Sequence, residues 1–256
     1  MNRIEALFQV KQRSILSVYC TAGYPLLDST VPVMMSLQQN GADMIELGMP
    51  YSDPLADGPV IQQSSMLALQ NGMTINKIFE QLRGFRHNVY LPVLLMGYMN
   101  PVLQYGFEQF CKDAADVAID GLIIPDLPMY EFENEYGVYT QRFGLSFIFM
   151  ITPETSEERI RKIDELTSGF IYAVSSSSTT GKNTDLSVQQ SYFERLKNMK
   201  LRNPILVGFG IRDKQTFNTA CTHLNGAIIG TAYINAIEGS VDVEDKTKAF
   251  LTSILQ

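Results

Sequence analysis

Histidine occurs only twice among the 256 residues, as His87 and His223, and cysteine three times, as Cys20, Cys111 and Cys221. Two distant histidines are too few for a metal cluster or a His-centred triad, so no metal site is expected. Three scattered cysteines with no CxxC spacing make no disulfide framework and read as reduced thiols of a cytoplasmic protein. No stretch approaches 18 uncharged apolar residues, so no segment is expected to span a membrane. Met1–Arg13 mixes apolar and charged residues and lacks a signal-peptide core. An excess of positive charge is absent too: 20 Lys+Arg stand against 27 Asp+Glu, a net charge of −7. That balance disfavours nonspecific nucleic-acid or anionic-membrane binding. It leaves room for an anionic small ligand held by backbone amides.

What the chain has is an ordinary globular composition, 45% hydrophobic and 18% charged. A domain of this size buries roughly 70–75% of the surface its unfolded chain exposes, enough for a core without staples. Eight short apolar runs stand out: Ile15–Cys20, Asp43–Leu47, Pro92–Gly97, Ile119–Ile124, Ser146–Met150, Phe170–Val174, Pro204–Gly208 and Gly226–Gly230. Continuous rather than alternating runs suit parallel strands covered on both faces. Helical periodicity marks Ser29–Gln39, Ile75–Phe85, Phe107–Ala115, Ser156–Leu166, Ser191–Met199 and Lys214–Cys221, with start signals at Thr155 or Ser156 and at Asp213. The runs begin about 22 to 49 residues apart, the length of a strand-plus-helix unit. Eight units predict a single-domain α/β protein over residues 1–256, a (β/α)8 TIM barrel with an extra N-terminal helix. An open doubly wound sheet is the runner-up, but the first strand leads into Thr21-Ala22-Gly23-Tyr24-Pro25, which is no GxGxxG.

In a barrel, function sits in the loops at the carboxyl ends of the strands. The long loop after strand 2, Gly48–Pro59, is rich in Pro, Gly and Asp, and the long one after strand 6, Ser175–Ser187, is almost wholly polar. Alternation along Asp43–Leu47 turns Ile45 and Leu47 toward the helices and Met44 and Glu46 into the lumen. A carboxyl there is desolvated, which raises its pKa toward neutrality and suits it to proton transfer. The alternative for Glu46 is an ion pair capping the strand. For Asp53 a turn-stabilising Asx bond outweighs catalysis; for Asp57 the two readings stand level. Gly208 and Gly210 end strand 7, and Gly230-Thr231 ends strand 8. Their amides, with Gly181 in the strand-6 loop, could hold a dianionic phosphate, or the glycines could simply make tight turns.

The run Glu46-Leu47-Gly48-Met49-Pro50-Tyr51-Ser52-Asp53-Pro54-Leu55-Ala56-Asp57-Gly58-Pro59 closely resembles the signature of the tryptophan synthase α-subunit family. Thr21-Ala22-Gly23-Tyr24-Pro25, Tyr98-Met99-Asn100-Pro101, Pro125-Asp126-Leu127-Pro128, Thr180-Gly181 and Gly208-Phe209-Gly210-Ile211 follow the same family in order, so the likeness covers essentially the whole chain. The resemblance implies a lyase of tryptophan biosynthesis, cleaving indole-3-glycerol phosphate to indole and glyceraldehyde 3-phosphate without a cofactor in this chain. Indole then passes through a tunnel to a pyridoxal-phosphate β subunit within an αββα tetramer. By resemblance Glu46 is the general acid/base and Asp57 the carboxylate that binds the indole N–H. Tyr19, Tyr98, Asp126 and Tyr172 would line the substrate site, though an aromatic that merely fills the barrel is an equal reading of Tyr172. Thr180 would meet Asp57 from a mobile lid, and Gly181, Gly210, Gly230 and Thr231 would bind phosphate.

One departure stands out. Many relatives carry Gly-Val before the lid's Thr-Gly, where this chain reads Ser175-Ser176-Ser177-Ser178-Thr179-Thr180-Gly181. A stand-alone lyase releasing free indole would share the same acids, and a non-catalytic barrel serving β would not need both. Another phosphate-binding biosynthetic barrel would lack the Pro-Tyr-Ser-Asp-Pro-Leu-Ala-Asp run.

Overall fold

Short apolar runs can be buried on both faces only if neighbouring strands satisfy their backbone and helices cover the outside. The computed structural model, which describes residues 2–175, 186–208 and 210–256, solves that problem with a closed cylinder. Its strands are β1 (Ile15–Thr21), β2 (Met44–Gly48), β3 (Val93–Met96), β4 (Gly121–Ile123), β5 (Ser146–Phe147), β6 (Met150–Ile151), β7 (Ile171–Val174), β8 (Ile205–Gly208) and β9 (Gly226–Ile229). All pair in parallel, in the order β5-β4-β3-β2-β1-β9-β8-β7-β6. The two ends of that order, β5 and β6, are consecutive in the chain. The Ile148 amide donates to Leu122 on the β4 side at 3.0 Å, and Phe149 accepts from Tyr172 on the β7 side at 3.0 Å. The expected strand Ser146–Met150 is therefore one stave in two short pieces, and it closes an eight-stave barrel.

The helices are α1 (Arg3–Val10), α2 (Thr30–Gln39), α3 (Pro59–Gln70), α4 (Ile75–Gln81), α5 (Met99–Tyr105), α6 (Phe107–Asp116), α7 (Met129–Glu131), α8 (Gly137–Arg142), α9 (Glu157–Leu166), α10 (Leu186–Asn198), α11 (Lys214–His223), α12 (Thr231–Ala236) and α13 (Val243–Leu255). The expected start signals hold: the Ser156 side chain caps α9 through the Arg159 amide, and Asp213 caps α11 through that of Thr216. The helix expected over Ile75–Phe85 stops at Gln81, because Gly84 adopts a left-handed φ of 74° before a 3₁₀ turn at Phe85–His87. Helix α3 escapes a periodicity reading because Ser64, Ser65 and Ala68 share its buried side with Ile61, which flattens the polar contrast. Among the described residues no helix is long and apolar enough to cross a membrane.

Strand alternation divides the apolar residues into two cores. Leu16, Val18, Ile45 and Leu47 face outward against the helices, while Ile15, Met44, Leu94, Ile123, Phe170 and Leu206 fill the lumen. The extra N-terminal helix, α1, plugs the amino-terminal end of the barrel with Ile4, Leu7 and Phe8. Its cap residue Asn2 donates to the Asp120 carbonyl at 2.7 Å and to Ser146 Oγ at 3.1 Å. Arg3 pairs with the Asp120 carboxylate at 3.1 Å, and Arg86 shares that carboxylate at 2.5 Å. Asp120 is 3% exposed, so its charge is tolerable only because two guanidinium groups and the Val93 amide hold it.

Ile4 is fully buried at the point where plug meets lumen. Ile4→Ala is expected to lower unfolding free energy by roughly 2–5 kcal/mol in urea titrations. A loss below about 0.5 kcal/mol would mean that α1 is a surface appendage.

Candidate active site

Glu46 lies on the lumen side of β2, opposite Tyr19 of β1 and Leu94 of β3 in register, and is fully buried. The alternative of a capping ion pair is excluded among the described residues. Its Oε1 accepts from Ser17 Oγ at 2.8 Å, and its Oε2 has no hydrogen-bond partner there. Burial pushes the carboxyl up from 4.5 to about 8, against a smaller lowering by the Ser17 hydroxyl. At neutral pH this group is a neutral acid with one oxygen facing the lumen.

Asp57 sits in the Pro-rich loop that carries β2 into α3, and it is half-buried. Its amide closes a turn onto the Pro54 carbonyl at 3.2 Å, and its own carbonyl accepts from Gln62 of α3 at 2.8 Å. The Tyr98 hydroxyl accepts the Ala56 amide at 3.1 Å and hydrogen-bonds the Asp57 side chain, which pulls that carboxyl's pKa down. Burial outweighs this and leaves it at about 6. Asp57 is thus an anion at neutral pH while Glu46 keeps its proton. Asp53 instead is exposed and accepts from its neighbour Ser52 at 2.6 Å.

Two lumen tyrosines surround the acids. Tyr19 and Tyr172 are 8% and 4% exposed, and burial raises both phenols well above their ordinary range. The next contribution is the charge of Asp57 for Tyr19 and of Glu46, then Asp57, for Tyr172. Tyr172 is thus within electrostatic reach of both acids. Each hydroxyl rests on the glycine that ends the neighbouring strand. A Cβ on Gly48 would stand 2.1 Å from Tyr19 Oη, and one on Gly208 2.2 Å from Tyr172 Oη. Thr21 Oγ1 reaches Tyr19 Oη at 3.4 Å and Ser64 Oγ of α3 at 2.8 Å, tying the helix that follows Asp57 back to β1. Asp126 is exposed, and both its carboxylate oxygens accept the Met99 amide, at 2.9 and 3.1 Å, so it caps α5 directly after Tyr98.

Across the mouth, β8 and β9 end side by side. Gly210 follows β8 with φ of 78°, and Gly230 opens α12 with no side-chain cap, leaving Thr231 exposed at its first turn. Uncapped first-turn amides beside a glycine bend suit a phosphate. Thr180 and Gly181 lie outside the described residues. The sequence reading missed Ser17, whose signal was a lone hydroxyl two positions before Tyr19 on the same strand face. It also missed Gly48, whose role appears only once the Tyr19 ring is placed.

Chemically, a neutral acid and an anion at one barrel mouth, with phosphate-type amides across it, can protonate a ring carbon while balancing charge on a ring nitrogen. Comparisons with known proteins point to one family along nearly the whole chain. The family model described as tryptophan synthase alpha chain matches residues 6–254. The tryptophan synthase alpha chain of Bacteroides thetaiotaomicron is 50% identical over 95% of this chain and 96% of its own length. That of Parabacteroides distasonis is 49% identical over 100% of both chains. Among solved structures, tryptophan synthase subunit alpha from Legionella pneumophila superposes with a TM-score of 0.89 at 34% identity, covering 99% of this chain and 97% of its own. The aminoacrylate-bound tryptophan synthase of M. tuberculosis gives 0.86 at 28% identity, covering 99% and 98%.

Glu46 also has a stability signature. Its pKa is raised in the fold, so its favourable contribution is full below about pH 4.5 and is lost as pH rises toward about 8. Glu46→Gln removes that loss. The variant's unfolding free energy relative to wild type is therefore expected to grow by a few kcal/mol between pH 5 and pH 8.5. A difference that does not change with pH in urea titrations would show that Glu46 is not held neutral.

Proposed function

This chain belongs to the tryptophan synthase alpha chain family, and we propose that Glu46 and Asp57 are the acid and the anion of its reaction. It cleaves indole-3-glycerol phosphate to indole and glyceraldehyde 3-phosphate, the lyase step of tryptophan biosynthesis, as the partner of a β subunit. The observation that carries the residue assignment is the buried Glu46 carboxyl, neutral to about pH 8, in the same mouth as an Asp57 carboxyl that ionises at about 6.

Direct cleavage would expel an indolyl carbanion, a poor leaving group. Glu46 avoids it by delivering its proton to indole C3, which turns the ring into an iminium electron sink. Asp57 accepts the ring N–H and balances the positive charge that develops there. The Glu46 carboxylate then removes the proton of the adjacent glycerol hydroxyl. The C–C bond breaks, its electron pair restores the indole, and the former hydroxyl carbon becomes the aldehyde. Glu46 ends protonated, ready for the next turnover. Tyr19 and Tyr172 form apolar walls with neutral hydroxyls, Tyr98 orients Asp57, and Asp126 lies beside the glycerol chain. Gly210, Gly230 and Thr231 hold the phosphate, with Gly181 and Thr180 contributing from the strand-6 loop.

The same reading makes residues 1–256 one catalytic domain of a cytoplasmic αββα tetramer, with no cofactor in this chain and pyridoxal phosphate in the β subunit that receives the indole. Leu55, 90% exposed, in the Tyr51–Pro59 loop, and Leu103, 47% exposed, on α5, belong to segments joined by a 3.0 Å hydrogen bond from Asn100 to Tyr51. These two segments form the face for β. Because the Tyr51–Pro59 loop also carries Asp57, docking there orders the anion.

Three outcomes test this. Glu46→Gln is expected to lower kcat by about 10²–10⁴-fold and Asp57→Asn by about 10²–10³-fold; wild-type rates in either would remove that residue from the mechanism. The kcat/KM profile of wild type should be a bell with limbs near 6 and 8. Tyr98→Phe should move the acid limb up and Ser17→Ala the alkaline limb up, because each hydroxyl lowers its partner's pKa. Adding a cognate β subunit should raise the lyase rate at least about tenfold, a coupling of roughly 1.4 kcal/mol. A fast enzyme indifferent to β would instead be a free-standing lyase.

A further inference from the structure

At the opposite end of the barrel from Glu46, where α10 and α11 finish and β8 begins, a hollow of about 190 Å³ opens to the surface. Leu196, Ile205 and Leu224, all buried, lie at its base. Its other chemistry is cationic. Lys197 and Lys200 stand at the end of α10, and Arg13 comes from the loop before β1; His223 closes α11, and among the described residues no Asp or Glu lines the hollow. Among the described residues eight ion pairs form, and none includes Arg13, Lys197 or Lys200.

This grouping runs against the chain's net charge of −7. A helix C-terminus attracts a cation, by about 0.3–1 kcal/mol. That accounts for Lys197, yet Arg13 belongs to no helix. Arg13, Lys197 and Lys200 are exposed, and their mutual repulsion, screened by water, is relieved when a counter-charge enters. The polar groups at the rim are already used: Asn225 donates to the Gln12 carbonyl and accepts the Ile205 amide, both at 2.9 Å, and Asn203 binds Asp164. They are not held in reserve for a neutral polar ligand. An apolar floor and a cationic rim, with no acid among the described lining residues, define one ligand chemistry.

We propose that this hollow is a second binding site, for a small organic anion with an apolar body. The apolar part covers Leu196 and Leu224, and the anionic head lies among Lys197, Lys200 and Arg13. The site is separate from the lyase centre and does not rest on the assignment of Glu46 and Asp57. Its position beneath β8, the strand that ends at Gly208, places it on the element that leads into the phosphate side of the mouth.

The test uses the full chain, labelled with ¹⁵N, titrated with 3-phenylpropionate, phenyl phosphate and the neutral 3-phenylpropanamide. The expected result is saturable amide shifts at Leu201, Leu224 and Asn225 with at least one of the two anions, and at least tenfold weaker binding of the amide. Whichever anion binds more tightly identifies the head group. Lys197→Gln/Lys200→Gln should weaken the anion at least tenfold while leaving lyase kcat/KM unchanged. Raising salt from 0.05 to 0.5 M should also weaken it, since the rim is exposed. Equal affinity for amide and anion, unchanged binding in the double variant, or shifts confined to the residues around Glu46 and Asp57 would each overturn the proposal.

Discussion

The structure depends on keeping water away from one carboxyl. Glu46 is enclosed by a barrel whose staves satisfy each other's backbone, whose outer face is sealed by helices, and whose lower end is plugged by α1. In that setting ionisation is costly, and a single hydroxyl from Ser17 does not offset it. That cost suits Glu46 to the proposed role, because a carboxyl ionised at neutral pH has no proton to give. A carboxylate charged at neutral pH cannot share this environment. Asp57 is accordingly carried out of the lumen by a Pro- and Gly-rich loop to a half-exposed position, where the Tyr98 hydroxyl supports its charge. Two residues of one chemical type thus acquire different protonation states from eleven positions of chain geometry (46 to 57).

Most of the architecture was legible in the sequence because parallel barrel strands are buried twice over and so read as unbroken apolar runs. The lumen placement of Glu46 followed from alternation with Ile45 and Leu47, and the caps at Ser156 and Asp213 followed from local hydrogen-bond chemistry. The features that escaped have physical causes. The fifth stave breaks into β5 and β6 because its bonds go to two neighbours in turn, a tertiary fact with no local signature. Helix α3 packs small polar residues inward, and the helix at Ile75 ends early at a glycine whose left-handed conformation periodicity does not encode.

At the site, residue type was readable and partnership was not. That Glu46 and Asp57 differ in environment could be inferred from strand and loop. That Ser17 is the hydroxyl on one, and Tyr98 on the other, depends on register between strands and on a contact 41 residues apart (57 to 98). Asp126 shows the reverse case. Its place in a family motif suggested substrate contact, and the fold also uses it to cap α5, the helix that begins next to Tyr98.

The phenol of Tyr19 lying against the bare Cα of Gly48 has an evolutionary consequence. Neither position can drift alone. A methyl group at 48 would collide with the aromatic ring and displace it, whereas a shorter side chain at 19 would leave a void on the glycine. Lineages of this barrel are therefore expected to change the two positions together or not at all, and a bulkier residue at 48 should be survivable only in a background where 19 has already become small.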